Sequence, residues 1–209
     1  MSTLSQILET KIVAIIRGAN PKDVLQIASA LQKGGIKALE ITMNSPKALS
    51  VIEEACDYFG QNMLIGAGTV LDAETARAAI SAGAEFIISP IVNVKTIKMT
   101  KRYGIVSIPG AYTPTEIVTA YANGGDIIKL FPASAGIPFI KDIRGPLAHI
   151  PLMPTGGLNL ENINEYQKAG AVAFGIGSAL VNTENEINED YLQKLTNKAR
   201  KYLEAVHSF

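Results

Sequence analysis

The chain has 209 residues, 47 % of them hydrophobic, with 19 basic and 19 acidic side chains in balance. That is enough material for one domain with a substantial core. It offers no basic field to hold nucleic acid or an anionic membrane. The one cysteine, Cys56, excludes an intramolecular disulfide and points to a reducing compartment. The two histidines, His149 and His207, lie far apart and in no metal-ligand spacing. Residues 1–10 are polar and lack the basic start and apolar run of a signal peptide. No apolar run approaches the ~20 residues of a spanning helix. A soluble cytoplasmic protein is expected, with no nucleic-acid or membrane partner.

In chain order, residues 5–11 end a short N-terminal helix. Ile12–Ile16 is a continuous apolar run, the pattern of a strand buried on both faces. Asn20 and Pro21 start a helix as cap and first residue, and Gly34-Gly35 ends it. The unit then repeats. Ala38–Thr42 reads as the second strand, and Ser45-Pro46 as the opening of the next helix. Residues 64–67 are the third strand, with Asp72 capping the helix that follows. Residues 86–90 and 105–109 are the fourth and fifth, and Thr113-Pro114 starts another helix. Residues 126–130 are the sixth strand. Leu152–Pro154 is the seventh, with Asn159 as the next cap, and residues 171–174 are the eighth. Residues 190–206 make a closing amphipathic helix. Eight strand–helix units in about 200 residues predict a (β/α)8 TIM barrel spanning 1–209 as one domain. The competing fold, an open doubly wound sheet, would carry a Gly-rich dinucleotide turn after its first strand, and that turn is missing.

A barrel carries its chemistry at the C-terminal ends of its strands. Two ionisable residues interrupt otherwise apolar strands there, Lys129 in the sixth and Glu40 in the second. Burial disfavours a charged ammonium, so such a lysine snorkels, pairs with a carboxylate or serves as an amine nucleophile. If both residues face the lumen, the pair suits Schiff-base chemistry: the amine attacks a ketone and the carboxylate moves protons. A structural buried ion pair is the alternative. Thr155-Gly156-Gly157 and Gly175-Ile176-Gly177-Ser178 end the last two strands. They read as a phosphate cradle, with a helix starting at Ser178, or as tight turns that need glycine. Arg17, ending strand one, can fork onto a carboxylate or lie free at the surface. Thr69 can add a hydroxyl to that carboxylate or serve a turn. Phe131 and Pro90 are apolar walls beside the lysine or ordinary core. Cys56 falls in a helix pattern and reads as inert.

Several segments resemble the 2-keto-3-deoxy-6-phosphogluconate (KDPG) / 4-hydroxy-2-oxoglutarate (KHG) aldolase family, class I Schiff-base enzymes on a (β/α)8 barrel. The matching segments are Ala38-Leu39-Glu40-Ile41-Thr42, Gly66-Ala67-Gly68-Thr69-Val70-Leu71, Ile88-Ser89-Pro90, Ile108-Pro109-Gly110, Lys129-Leu130-Phe131-Pro132 and Pro154-Thr155-Gly156-Gly157. The resemblance implies that Lys129 forms a Schiff base with pyruvate and that Glu40 is the general acid/base. It further implies that Thr69 binds the pyruvyl carboxylate and Phe131 packs beside the lysine. Gly156, Gly157 and Ser178, with Gly177 in the same turn, would hold the substrate phosphate. It implies no metal or cofactor, and a homotrimer.

Many members carry an arginine four residues after the acid/base glutamate, where this chain has Asn44. Members with such a replacement often carry an arginine at the end of strand one, so Arg17 is expected to take the carboxylate. The Asn44-Ser45-Pro46 turn also resembles the related 6-phosphogalactonate aldolases, which look apolar where this chain has Thr155. The expected activity is therefore cleavage of KDPG to pyruvate and glyceraldehyde 3-phosphate, with KHG as a second substrate. The galactonate epimer is the first alternative, and a sugar-phosphate isomerase or epimerase using Glu40 without a covalent lysine is another. A phosphate-binding barrel without turnover is the last.

Overall fold

The computed structural model describes residues 1–208. The strands are β1 (Ile12–Ile16), β2 (Ala38–Thr42), β3 (Leu64–Gly68), β4 (Phe86–Ile88), β5 (Val106–Ile108), β6 (Gly110–Ala111), β7 (Ile128–Leu130), β8 (Leu152–Pro154) and β9 (Phe174–Ile176). All pairings are parallel. A curled six-stranded sheet runs β5-β4-β3-β2-β1-β9, and a three-stranded sheet runs β6-β7-β8. In place of the expected single ring of eight strands there are these two sheets. The fifth strand is split in two at Pro109, which has no N–H to give to a ladder. The sheets are linked there, where Lys129 N donates to Pro109 O at 2.9 Å, and by a bridge between Thr155 and Gly175.

Helices alternate with the strands, and their starts follow the expected caps. Asn20 and Asp72 accept from the backbone of α2 (Pro21–Lys33) and α4 (Ala73–Ser81). Thr113 and Glu116 form a reciprocal capping box on α6 (Pro114–Ala122). Three expected starts move. α3 (Ala48–Phe59) begins after Lys47, which sits in a left-handed conformation, so Ser45 and Pro46 belong to the preceding turn. Asn159 accepts from Glu161 N and Asn162 N, capping a turn, whereas α8 (Ile163–Lys168) starts later. No helix begins at Ser178: Leu180 N and Val181 N both return to Gly177 O in a turn. The eighth strand of the sequence, residues 171–174, is displaced to β9, so Gly175 and Ile176 lie in the ladder and not in a loop.

Alternation along the strands sorts their side chains into two clusters. Ile12, Ala14, Ile16, Leu39 and Ile41 pack toward the helices, in one cluster with Val24, Ile27 and Leu31 of α2. Val13, Ala38, Leu64, Phe86, Val106, Ile127, Met153 and Ala173 meet each other in a second cluster, on the inner face of the strands. Ile7 of α1 (Thr3–Thr10) joins this inner cluster, so α1 covers the N-terminal ends of the strands. Burying each large apolar side chain here contributes about 1.5–3 kcal/mol. Among the described residues no helix is long and apolar enough to cross a membrane.

Candidate active site

The inner face can be followed upward by steps of two. From Ala38 it reaches Glu40 and Thr42, from Ile127 it reaches Lys129 and Phe131, and from Val13 it reaches Ile15 and Arg17. Register places Ile15 and Gly66 on either side of Glu40, and Gly110 and Met153 on either side of Lys129. Both ionisable residues are therefore inner-face residues, Glu40 at 0 % and Lys129 at 3 % exposure.

Neither Glu40 carboxylate oxygen has a hydrogen-bond partner, so the pair is not a direct hydrogen-bonded bridge. Burial pushes the Glu40 carboxyl above the usual glutamate range, and the charges of Lys129 and Arg17 act against that rise. An unpartnered buried carboxyl is costly in a core and useful where a proton has to be taken and returned. The Lys129 ammonium lies 5.2 Å from the centroid of the Phe131 ring.

Three glycines create the site's space: Gly68 and Gly110, to which sequence reasoning assigns no role, and Gly175, which it places in the phosphate cradle. A Cβ at Gly68 would run into the Glu40 carboxylate, and one at Gly175 would run into the Thr155 side chain. A Cβ at Gly110 would meet the backbone of Ser89 and Pro90, so that glycine lets the fourth and fifth strands approach. The signal was present in the step of two: Gly68, Gly110 and Gly175 all fall at inner-face positions.

Arg17 lies beside the carboxylate layer. Its Nη1 donates to Asn44 Oδ1 at 3.2 Å and to Thr69 Oγ1 at 3.3 Å. The structure thus brings Arg17, Thr69 and Asn44 together, at the ends of β1, β2 and β3. Thr69 has φ +56°, a conformation that β-branched residues rarely adopt and that is found where function constrains the backbone.

A cleft of about 840 Å³ opens over this layer. Arg17, Phe131, Thr155, Gly156, Gly157, Gly177 and Ser178 all line it. Glu40, Lys129, Thr69 and Pro90 do not. Glu40 and Lys129 lie buried on the inner face, and Thr69 is joined to the cleft through Arg17. Pro90 lines a neighbouring pocket of about 430 Å³, which shares Phe131 with the cleft. Phe131 is therefore the wall between two spaces. Gly156 and Gly157 both hold positive φ, at +90° and +78°, which keeps the turn after β8 tight and its backbone open to the cleft. Thr155 Oγ1 is buried without a partner. Arg17 is the one cation among the lining residues described, and Glu184 adds an acidic group. Asn182, Thr183 and Glu184, in the loop after β9, also line the cleft and were not singled out from the sequence.

Cys56 stays outside the site. It is half-buried, its thiol donates to Gly83 O, and burial pushes it up to about 11. No group of three or more His, Cys, Asp or Glu is placed to hold a metal ion among the described residues.

A parallel α/β fold with a buried amine and carboxyl near the C-terminal ends of its strands, beneath a polar cleft, is an arrangement suited to proton transfer and carbonyl chemistry. The family model described as KDPG and KHG aldolase matches residues 4–197. The 2-dehydro-3-deoxy-6-phosphogalactonate aldolase of Escherichia coli (strain K12) is 34 % identical over 197 residues, 93 % of this chain and 96 % of that one. The 2-dehydro-3-deoxy-phosphogluconate aldolase of Haemophilus influenzae is 38 % identical over 165 residues, 78 % of this chain and 77 % of that one. Among solved structures, a KDPG aldolase from Legionella pneumophila, with pyruvate captured as a covalent carbinolamine, superposes with TM-score 0.82 at 29 % identity. The match covers 98 % of this chain and 97 % of that one. The chain belongs to the KDPG and KHG aldolase family and is a class I aldolase, a carbon–carbon lyase.

Proposed function

We propose that this aldolase cleaves KDPG reversibly to pyruvate and glyceraldehyde 3-phosphate, and KHG to pyruvate and glyoxylate, through a Schiff base on Lys129. The observation that carries the reading is the buried Lys129–Glu40 pair on one inner face, beneath a cleft lined by Arg17 and the glycine turns. In this mechanism the neutral Lys129 amine attacks the C2 ketone to give a carbinolamine, which loses water to an iminium. Glu40, through a water, takes the proton of the C4 hydroxyl as the C3–C4 bond breaks. The bonding pair moves into the iminium, leaving an enamine on Lys129 and a free aldehyde. C3 then takes a proton back, and water releases pyruvate and the amine, so nothing is consumed overall.

Arg17 and Thr69 hold the substrate carboxylate in this reading. Gly156, Gly157, Gly177 and Ser178 hold the phosphate through backbone N–H groups and one hydroxyl, since Arg17 is the one cation among the described lining residues. Phe131 and Pro90 are the apolar walls. Thr155 meets the C4 hydroxyl, and its unpartnered buried Oγ1 supports that role. We further infer that the two sheets close into one (β/α)8 barrel over 1–209, a reading supported by the links at Pro109 and between Thr155 and Gly175. A cytoplasmic homotrimer serving the Entner-Doudoroff pathway completes the proposal. Exposed apolar side chains such as Val118 and Tyr121 on α6 suit the burial of helix faces between subunits.

Borohydride reduction in the presence of pyruvate tests the chemistry. A pyruvyl adduct is expected on Lys129 by mass, and active protein without one would falsify the Schiff-base mechanism. The galactonate epimer is the second reading, favoured by the Asn44-Ser45-Pro46 turn and by the Escherichia coli relative. Comparing kcat/KM for the two phosphorylated epimers separates the readings. Thr155→Val is expected to erode a gluconate preference, and an unchanged ratio removes Thr155 from the argument.

A further inference from the structure

We propose that Asn44 is a positioning residue whose neutral amide, with Thr69, holds the Arg17 guanidinium toward the substrate carboxylate without cancelling its charge. The inference rests on the assignment of Arg17 to that carboxylate. Arg17 is exposed, and an exposed arginine samples many rotamers unless it is held. Here two contacts hold its side chain, and two more fix the backbone at and just after it. Its Nη1 meets Asn44 Oδ1 at 3.2 Å and Thr69 Oγ1 at 3.3 Å. Its own carbonyl accepts from Thr183 Oγ1 at 2.8 Å, and the next residue, Gly18, donates its N–H to Ser45 Oγ at 2.8 Å. Ser45 Oγ in turn lies 2.9 Å from Thr42 Oγ1, which is buried at the end of β2. Three strand ends and the loop after β9 therefore converge on one arginine.

The chemistry of residue 44 follows from what arginine can do. A guanidinium only donates hydrogen bonds, so Asn44 must present its carbonyl oxygen to it. Both side-chain contacts fall on Nη1, which leaves the Nε and Nη2 donors for a forked contact with a carboxylate. An aspartate at 44 would accept the same hydrogen bond but would add a negative charge that competes with the substrate. It would also weaken the positive field that Arg17 projects onto Glu40. A neutral acceptor orients the guanidinium and leaves its charge available. Thr69, whose φ is positive, brings its hydroxyl to the same Nη1.

The test is the concentration of ketone needed for half-maximal borohydride trapping on Lys129, in wild type, Asn44→Ala and Asn44→Asp. Two donors are compared: pyruvate, which has the carboxylate, and acetone, which lacks it. Asn44 is an exposed turn residue, so both variants are expected to fold. Asn44→Ala should raise the half-maximal pyruvate concentration about tenfold, and Asn44→Asp should raise it further. The acetone curve should stay within about twofold of wild type in both. Unmoved pyruvate curves, or acetone curves that move as far as those for pyruvate, overturn the role of Asn44 while leaving the Schiff base intact. Wild-type protein that traps neither ketone overturns the Schiff-base reading, and the role of Asn44 with it.

Discussion

Low on the inner face, Val13, Leu64, Phe86, Val106, Ile127 and Met153 fill the space between the strands, with Ile7 of α1 packed against them. Two residues further along the same strands the contents change. Ile15, Ile88 and Ile108 remain apolar, but Glu40, Lys129 and Thr155 bring polar groups, and Gly66 and Gly175 bring no side chain at all. Another step reaches Arg17, Thr42, Gly68, Gly110, Phe131 and Gly177. The backbone geometry and the face are shared throughout, so the difference lies in the side chains alone. The lower layer is packed and satisfied. The upper layer keeps two carboxylate oxygens and one hydroxyl buried without partners. Stability and chemistry are thus separated by one pleat, about 7 Å along a strand, and substitutions in the two layers should fail in different ways.

The largest effect is expected from the upper layer. Lys129→Ala should reduce lyase kcat/KM by at least about 10⁴-fold, since no other amine replaces the nucleophile. Its thermal unfolding should remain cooperative. A variant that keeps more than a small fraction of its lyase activity would show that cleavage does not run through a covalent bond to Lys129. Phe86→Ala, in the lower layer, should do the reverse. Removing the ring should cost about 3–5 kcal/mol of stability, read from denaturant midpoints. At a temperature where the variant is folded, kcat/KM should stay within a few-fold of wild type. A large loss of activity in the folded variant would show that the two layers are not separable.

Much of this arrangement was legible in the sequence because it is local. Apolar runs announced strands, and Asn20, Asp72 and Thr113 announced helix starts, since a cap depends only on residues three or four positions away. Lys129 and Glu40 were visible because a charge on an apolar strand is anomalous wherever it occurs. What escaped was non-local. Ala171-Val172-Ala173 reads as the body of the eighth strand and Gly175 as its turn, because a glycine in a strand reads as punctuation. The ladder with β1 instead pairs Val13 with Gly175 and carries the strand on to Ile176. Gly68 and Gly175 act by leaving room for Glu40 and Thr155, side chains that reach them from neighbouring strands. Nothing in their own flanking residues says so. The same holds for Thr183, which is 166 residues from the Arg17 carbonyl it binds.

Gly68→Ala tests that room directly. The added methyl falls where the Glu40 carboxylate lies, in a layer with strand backbone on both sides. The carboxylate must rotate away from its place on the inner face. A drop in kcat of about 10²-fold is expected, the usual scale for a displaced general acid/base. Pyruvate trapping on Lys129 should survive at higher concentration, since the amine and Arg17 are untouched. If kcat holds, Glu40 has another productive position and the glycine serves packing only.

The smallest effect is thermodynamic, and it asks whether the upper layer is as dry as its burial implies. In the native protein burial holds the Glu40 carboxyl above its ordinary value of 4.5, with Lys129 and Arg17 only opposing the rise. The unfolded chain titrates near that ordinary value, so the native state binds this proton more tightly. The contribution of Glu40 to stability is therefore fully present below about pH 4.5 and is lost as the pH rises through the native value. Between the two values the loss runs at about 1.4 kcal/mol per pH unit, and above the native one it is complete. Glu40→Gln replaces the carboxyl with an amide that does not titrate. Its stability relative to wild type should grow as the pH rises from about 4.5 and then level off. Urea midpoints across that range measure the difference. Activity should be lost at every pH, so the variant is expected to be the more stable and the less active protein at neutrality. Parallel curves for the two proteins would mean that the native carboxyl titrates as it does in water. The contrast between a packed lower layer and a dry, charged upper one would then fail at its most buried residue.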